Sequence, residues 1–250
     1  MAKQNNIFKL RGTIGDATFY KSQDGHMIRE KGGVDADRIK NDPRFERVRE
    51  NGAEFGKAGK DGKVIRNAFK NVVNKSADNR LPSRLVKDLM QIVKTDTLNA
   101  RGLRKAASGD LVLLQGFEFN ATAPLSVSFT ANYSVGFNRT DGFATISVSN
   151  FVPTIQLRYP QGATHYKLIG GAAIIDFAAG TFENGFDEGA GRVISDAEAS
   201  ASSLTIPIPP NNTLPLFVVF GVMFYQQVNG TLYHLSNGSY NAFAIVKVDA

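Results

Sequence analysis

The residues best suited to chemistry are sparse in this chain and poorly arranged for it. There is no cysteine, and the only histidines are His26, His165 and His234. Without thiolates the protein forms no disulfide, no zinc–thiolate or iron–sulfur centre and no cysteine nucleophile. The histidines lack the i, i+2 or i, i+4 spacing that presents two imidazoles to one metal ion. No G-x-S-x-G elbow is present, so a serine-hydrolase signature is missing. Carboxylates gather at Glu183, Asp187, Glu188, Asp196 and Glu198. Two such groups can serve a glycosidase or hold calcium. The D-x-[DN]-x-[DN]-G calcium pattern is not matched, however, and the glycine-rich stretch 180–191 reads as an exposed loop. The expectation is a non-enzymatic protein with no cofactor, no metal and no small-molecule substrate.

Cations are the more conspicuous group. Arg44, Arg47, Lys57, Lys60, Lys63 and Arg66, followed by Arg101, Arg104 and Lys105, are candidates for neutralising phosphates. Glu46, Glu50, Glu54 and Asp61 are interleaved with them. Mixed signs mark a solvated or protein-binding face and not a single-sign nucleic-acid patch. No helix-turn-helix, RNP motif or zinc finger accompanies the charges. Nucleic-acid association through the basic region therefore stands as the alternative reading.

Glycines form the third pattern. Gly52, Gly56 and Gly59 fall at i, i+4 and i+7, on the helical face that also carries Phe45, Val48 and Phe55, and Gly62 follows. Each glycine inside a helix costs about 1 kcal/mol relative to alanine. Such a run marks either a break around residues 59–62 or close approach of another backbone, in the same chain or a neighbouring copy. It is not a phosphate loop, because the spacing differs from G-x-x-x-x-G-K-[ST] and no apolar strand feeds it.

These residues need elements to position them. Residues 17–21 and 27–31 flank Asp24-Gly25, a pair favoured in tight hairpin turns. Asp42-Pro43 is a good N-cap followed by a good first helical residue. From there apolar residues recur at helical spacing to about residue 75. A second helix follows Pro82-Ser83, with Leu85, Val86, Leu89, Ile92 and Val93 as its stripe. From residue 111 the period changes to two. Strands are predicted over 111–119, 125–133, 143–151, 154–159, 165–177, 203–208, 216–226, 231–235 and 240–248, the last two joined by Asn237-Gly238. The fold class is α+β: an N-terminal hairpin plus an antiparallel helix pair, then an antiparallel β-sandwich of Ig-like or jelly-roll-like kind. The expected domains are a basic hairpin and helical region, 1–108, and a β-sandwich, 109–250. The 18 Phe and 7 Tyr are assigned to the core, and the absence of Trp argues against a sugar-binding aromatic face.

The 250 residues carry a net charge of +6, divided very unevenly. Residues 1–110 hold a net +10 and residues 111–250 a net −4. No stretch approaches 18 uninterrupted apolar residues, and no apolar run follows a basic start, so the chain reads as synthesised in the cytoplasm with no membrane span, its final location open. N-x-[ST] triplets such as Asn229-Gly230-Thr231 are then turn chemistry rather than glycan acceptors.

The segments GTIGDATFYKSQDGHMIREKGG, RIKNDPRFERVRENGAEFGKAGK and GFEFN (116–120) resemble a set of uncharacterised proteins from Bacteroidetes-type bacteria, over most of residues 8–120 and more loosely beyond. That resemblance implies a bacterial or prophage source and supplies no activity or site residues. The residues themselves point to a structural protein that self-associates into a filament, ring or shell. The basic front of one copy would meet the acidic rear or a sheet edge of the next, and a segment such as 6–13 would add as a strand. Phe8, Leu10, Phe45, Gly52, Phe55, Gly56, Gly59, Asp187 and Glu188 are the interface candidates.

Overall fold

The computed structural model describes every residue except 1, 6, 31, 32, 77 and 236–239. The Asn237-Gly238 turn, Lys31 of the hairpin and Asn6 of the proposed added strand lie outside the described residues. The chain forms two compact units, Met1–Glu50 and Asn51–Ala250.

The first unit is a four-stranded antiparallel sheet followed by short helical turns. Strands β1 (Ala2–Lys3), β2 (Gly12–Ile14), β3 (Ala17–Ser22) and β4 (Gly25–Glu30) lie in the order β1-β4-β3-β2. The β3–β4 hairpin matches the Asp24-Gly25 signal. Gly25 adopts φ +109°, a conformation rarely open to other residues, and Ser22 Oγ accepts the Asp24 N–H at 3.1 Å. Helix α1 (Ala36–Asn41) is capped by Asp35, which accepts the Asp37 N–H at 2.8 Å. Asp42 caps the next turn, accepting the Arg44 N–H at 3.0 Å, and Pro43–Phe45 form a single 3-10 turn. Helix α2 (Glu46–Ala68) follows directly, and the boundary between the units falls inside it.

In the second unit α2 runs unbroken through Gly59 and Gly62, so the glycines do not end the helix. The interruption comes at Phe69, whose buried ring meets Phe119 at 5.9 Å and Phe186 at 6.4 Å, edge to face. Helix α3 (Lys70–Ser76) and helix α4 (Leu81–Thr95) complete the helical layer. The α4 start differs from expectation. It begins at Leu81 without a side-chain cap, so Ser83 is not its N-cap; instead Asp78 accepts the Arg80 N–H at 2.7 Å.

The β-rich remainder contains α5 (Leu125–Ser128), β5 (Tyr133–Asn138), β6 (Phe143–Val148), α6 (Pro153–Gln156), β7 (His165–Asp176), β8 (Thr181–Glu188), β9 (Arg192–Val193), β10 (Ser202–Pro207), β11 (Leu216–Val228), β12 (Thr231–His234) and β13 (Ala242–Asp249). All pairings are antiparallel. One sheet orders β10-β6-β5. The other orders β12-β11-β7-β8, with β13 also pairing β11 and β9 also pairing β7. Strand β11 lies at the centre: β7 follows one edge from Leu216 to Tyr225, while β13 and β12 share the other.

Period two explains the layering. Ile169, Ala173, Phe217, Val219, Met223, Phe243 and Ile245 point to a core shared with α2 and α4. Tyr166, Leu168, Ala172, Ile174, Val218, Phe220 and Val222 point to the opposite core, shared with Ala144, Ile146, Leu204 and Ile206 of the three-stranded sheet. With both faces covered, β11 reads as the continuous apolar run LFVVFGVMFY instead of alternating. Gly221 sits in that run because a Cβ there would collide with the Ala242 carbonyl and the Phe243 ring.

Three expected strands are corrected. Residues 111–119 begin as a 3-10 turn, Leu111–Leu114, capped by Asp110. Only the GFEFN portion then pairs with β13: Gly116 N–H donates to the Ile245 carbonyl at 2.7 Å and Phe119 N–H to the Phe243 carbonyl at 2.8 Å. Residues 125–133 open with α5, and 154–159 open with α6, because Pro124 and Pro153 start helical turns there. Conversely, the stretch expected as a loop, 180–191, contains β8, an eight-residue strand paired with β7. The apolar faces of α2 and α4 are buried against the sheet, and the two compact units meet at 50/51.

Candidate functional site

In the first unit no described residue is buried. Register places Ala2, Ile28 and Phe19 in one row and Ile14 with Ala17 in the next, all on one sheet face. Met27, Tyr20, Thr18 and Arg29 lie on the other. The first face holds a shallow depression of about 530 Å³ lined by Ala2, Ile14, Ala17 and Ile28 and rimmed by Asp16, Arg29 and Glu30. Ahead of it, Ile7 and Phe8 are 94% and 82% exposed. The segment is tied down by two side chains: Gln4 Oε1 accepts the Leu10 N–H at 3.0 Å, Gln4 Nε2 donates to the Met27 carbonyl at 2.9 Å, and Lys9 Nζ donates to the Gln4 carbonyl at 2.6 Å. Leu10 and Val48 are exposed, and Phe45 is half-buried beneath the Arg38 guanidinium, 5.9 Å from its ring centre.

In the second unit the α2 glycines separate into two kinds. Gly62 packs on α4, where an added Cβ would lie 3.2 Å from Leu89 Cδ1. Gly52, Gly56 and Gly59 have nothing within 4 Å of such a Cβ. Close approach within the chain thus accounts for Gly62 alone. Phe55, on the same stripe as Gly52 and Gly59, is 60% exposed. The opposite side of α2 is buried and holds Glu54, only 1% exposed, whose carboxylate accepts from Arg104 Nε at 2.8 Å, Arg104 Nη2 at 3.0 Å and Gly102 N–H at 2.7 Å. The Arg104 hydrogen bonds hold the Glu54 carboxyl below the usual carboxylate range, against the opposing effect of burial.

The phosphate candidates scatter. Arg44 reaches Asp42, Arg47 donates to Glu50 at 2.8 Å, Arg66 to the Gly62 carbonyl at 3.1 Å, and Arg101 to Asn51 at 3.1 Å. Lys63 is exposed. Lys57, Lys60 and Lys105 do converge, on a cavity of about 510 Å³ that Asp61, Val64, Phe177 and the 178–180 turn also line. Burial pushes the Asp61 carboxyl up to about 6, with Lys57 pulling it back. The sequence reading weighed Asp61 only as an interleaved charge. Its position at the buried side of α2, three residues after Ala58 and four before Ile65, is the signal that it faces inward.

The acidic candidates lie on β8 and are engaged. Asp187 Oδ2 accepts the Thr205 N–H at 2.8 Å. Glu188 faces Lys75 at 3.2 Å and Lys167 at 3.7 Å. Beside them Asn241, fully buried, contacts His234 Nε2 at 3.2 Å and accepts the Phe224 N–H at 3.1 Å. Burial and Lys75 lower the His234 pKa, which disfavours the imidazolium form. Burial and Glu188 push the Tyr225 hydroxyl up to about 12. Glu118 escaped the sequence reading altogether: burial raises its carboxyl to about 7 although the Leu125 N–H donates to it at 3.0 Å.

Among the described residues no group of three or more His, Asp or Glu side chains is placed to hold a metal ion. Nor is any helix long and apolar enough to cross a membrane. No protein-family model matches the chain, and no curated protein or solved structure resembles it significantly.

Proposed function

We propose that this is a structural protein whose copies associate with one another, the first unit of one copy seating its apolar sheet face on a neighbour. The observation that carries the reading is the absence of any buried residue among the described part of a 50-residue unit. A small sheet is marginal in water until one face is covered. The second copy is the chosen occupant on charge grounds. Residues 1–50 carry 11 Lys/Arg against 8 Asp/Glu, a net +3, and β8, at the edge of the larger sheet, carries Glu183, Asp187 and Glu188. Burial of Ile14, Phe19 and Ile28 supplies the affinity, while the charges set register and encounter rate. A contact of front to rear is heterologous and propagates into a ring, shell or filament. In this reading the β-rich part is a sandwich-type scaffold of Ig-like or jelly-roll-like kind, and the resemblance noted above makes the setting bacterial or prophage.

Nucleic-acid binding has less support, since Arg44, Arg47, Arg66, Arg101 and Arg104 all have partners within the chain. Sedimentation velocity at low and high salt tests the proposal. The intact chain should sediment as oligomers, and Ile28→Lys, which puts a charge on the apolar face, should sediment as a monomer. A monomer at both salt concentrations and at high protein concentration overturns it.

A further inference from the structure

The convergence of Lys57, Lys60 and Lys105 on one cavity has a counterpart in Asp61. This residue is only 8% exposed, yet among the described residues no hydrogen-bond donor or cation lies within bonding distance of its carboxylate, which lines the cavity. Its carboxylate opens onto the cavity, where a ligand hydroxyl can donate to it in place of water. Two backbone N–H groups beside the cavity are already engaged. The Ala178 and Ala179 amides, which also border the cavity, are taken by Asp176 Oδ1 at 2.8 and 3.0 Å. Lys57 directs a hydrogen bond away, to the Gly102 carbonyl at 3.2 Å.

We propose that this cavity binds a small phosphorylated polyol, with the phosphate on Lys60 and Lys105, Lys57 adding its charge from its seat on the Gly102 carbonyl, and a hydroxyl donating to Asp61. Charge, donor type and size each select this class. Three ammonium groups and one carboxylate leave the lining with a net charge of +2, which a phosphate monoester dianion balances. Lysines suit phosphate as compact point charges. The same ammonium groups repel a cationic ligand, so the donor to Asp61 is a neutral hydroxyl and not an amine. Phe177 and Val64 form an apolar wall for the carbon skeleton. The cavity, at about 510 Å³, falls in the range of small-ligand sites. The sequence expectation of no small-molecule substrate rested on missing catalytic motifs, and binding requires none of them. The proposal is independent of self-association.

Titration calorimetry on the full chain tests it, with ribose 5-phosphate, glucose 6-phosphate and AMP as probes and with inorganic phosphate and ribose for comparison. At least one sugar phosphate should bind more tightly than inorganic phosphate, and ribose should give no saturable heat. Asp61→Ala should weaken that sugar phosphate roughly tenfold or more while sparing inorganic phosphate. The Lys60→Ala/Lys105→Ala double variant should weaken both anions by a similar factor. Asp61→Ala is expected to fold, because it removes a carboxylate that has no partner and introduces the best helix former; a circular-dichroism melt checks this. The proposal fails if none of the three sugar phosphates binds at millimolar concentration. It fails equally if Asp61→Ala binds the sugar phosphate as tightly as the unaltered chain, or if the double variant loses nothing.

Discussion

At the scale of single residues, two carboxylates carry a pH signature. Burial raises Asp61 to about 6 and Glu118 to about 7, from ordinary values of 3.8 and 4.5. The folded protein therefore keeps protons that the unfolded chain releases. Their stabilising contribution is complete below the unfolded values and is lost as pH rises through the folded ones. The unfolding free energy read from urea titrations should accordingly fall between pH 4.5 and pH 7, by on the order of 2 kcal/mol in all. Glu118→Gln should flatten roughly half of that slope, and an unchanged slope would contradict the role given to Glu118. Glu54 and Asp78 act in the opposite sense. Both are held below the usual carboxylate range, Glu54 by Arg104 and Asp78, despite burial, by the Ala121 and Arg80 N–H groups and Arg84. Their contribution is present near neutrality and disappears in acid, so stability should also decline below about pH 4.

At the scale of elements, α2 has a surface that its own chain leaves open. Gly52→Ala, Gly56→Ala and Gly59→Ala place methyl groups where nothing lies within 4 Å. Combined, they should stabilise the isolated chain by about 3 kcal/mol through helix propensity alone. If a neighbouring copy lies on that stripe, the same methyl groups should weaken association, read by sedimentation beside the thermal melt. A rise in melting temperature with unaltered association would remove these glycines from the interface. The contrast with Gly62 also marks what the sequence discloses. Spacing alone put all four glycines in one helical pattern, but which of them touches α4 depends on where Leu89 arrives. Hairpin, helices and the long strands β7 and β11 were legible because Asp24-Gly25, Asp42-Pro43 and unbroken apolar runs are local signals. Strand β8 was not, since TFENGFDE owes its conformation to pairing with β7. The turns at Pro124 and Pro153 were hidden inside apolar runs whose period a short helix and a strand share. The lysine cavity was half legible: its cations stood out, whereas Phe177 and Asp61 meet them only through tertiary packing.

At the scale of the molecule, the two units differ in kind. The second holds two apolar cores on either side of one sheet, while the described residues of the first hold none. Hydrogen exchange on dilute, monomeric protein should show the amides of β2, β3 and β4 exchanging orders of magnitude faster than those of β7 and β11. On concentration into oligomers the first group alone should slow. Equal protection of both groups in the monomer would mean that the small sheet needs no cover. Strand β11 carries a different consequence, one for descent and not for stability. Its odd-numbered side chains answer to the helices and its even-numbered ones to the three-stranded sheet. A lineage that enlarges or trims Val219 displaces the backbone on which Val218 and Phe220 sit, so the two halves of the interior are free to drift only in step.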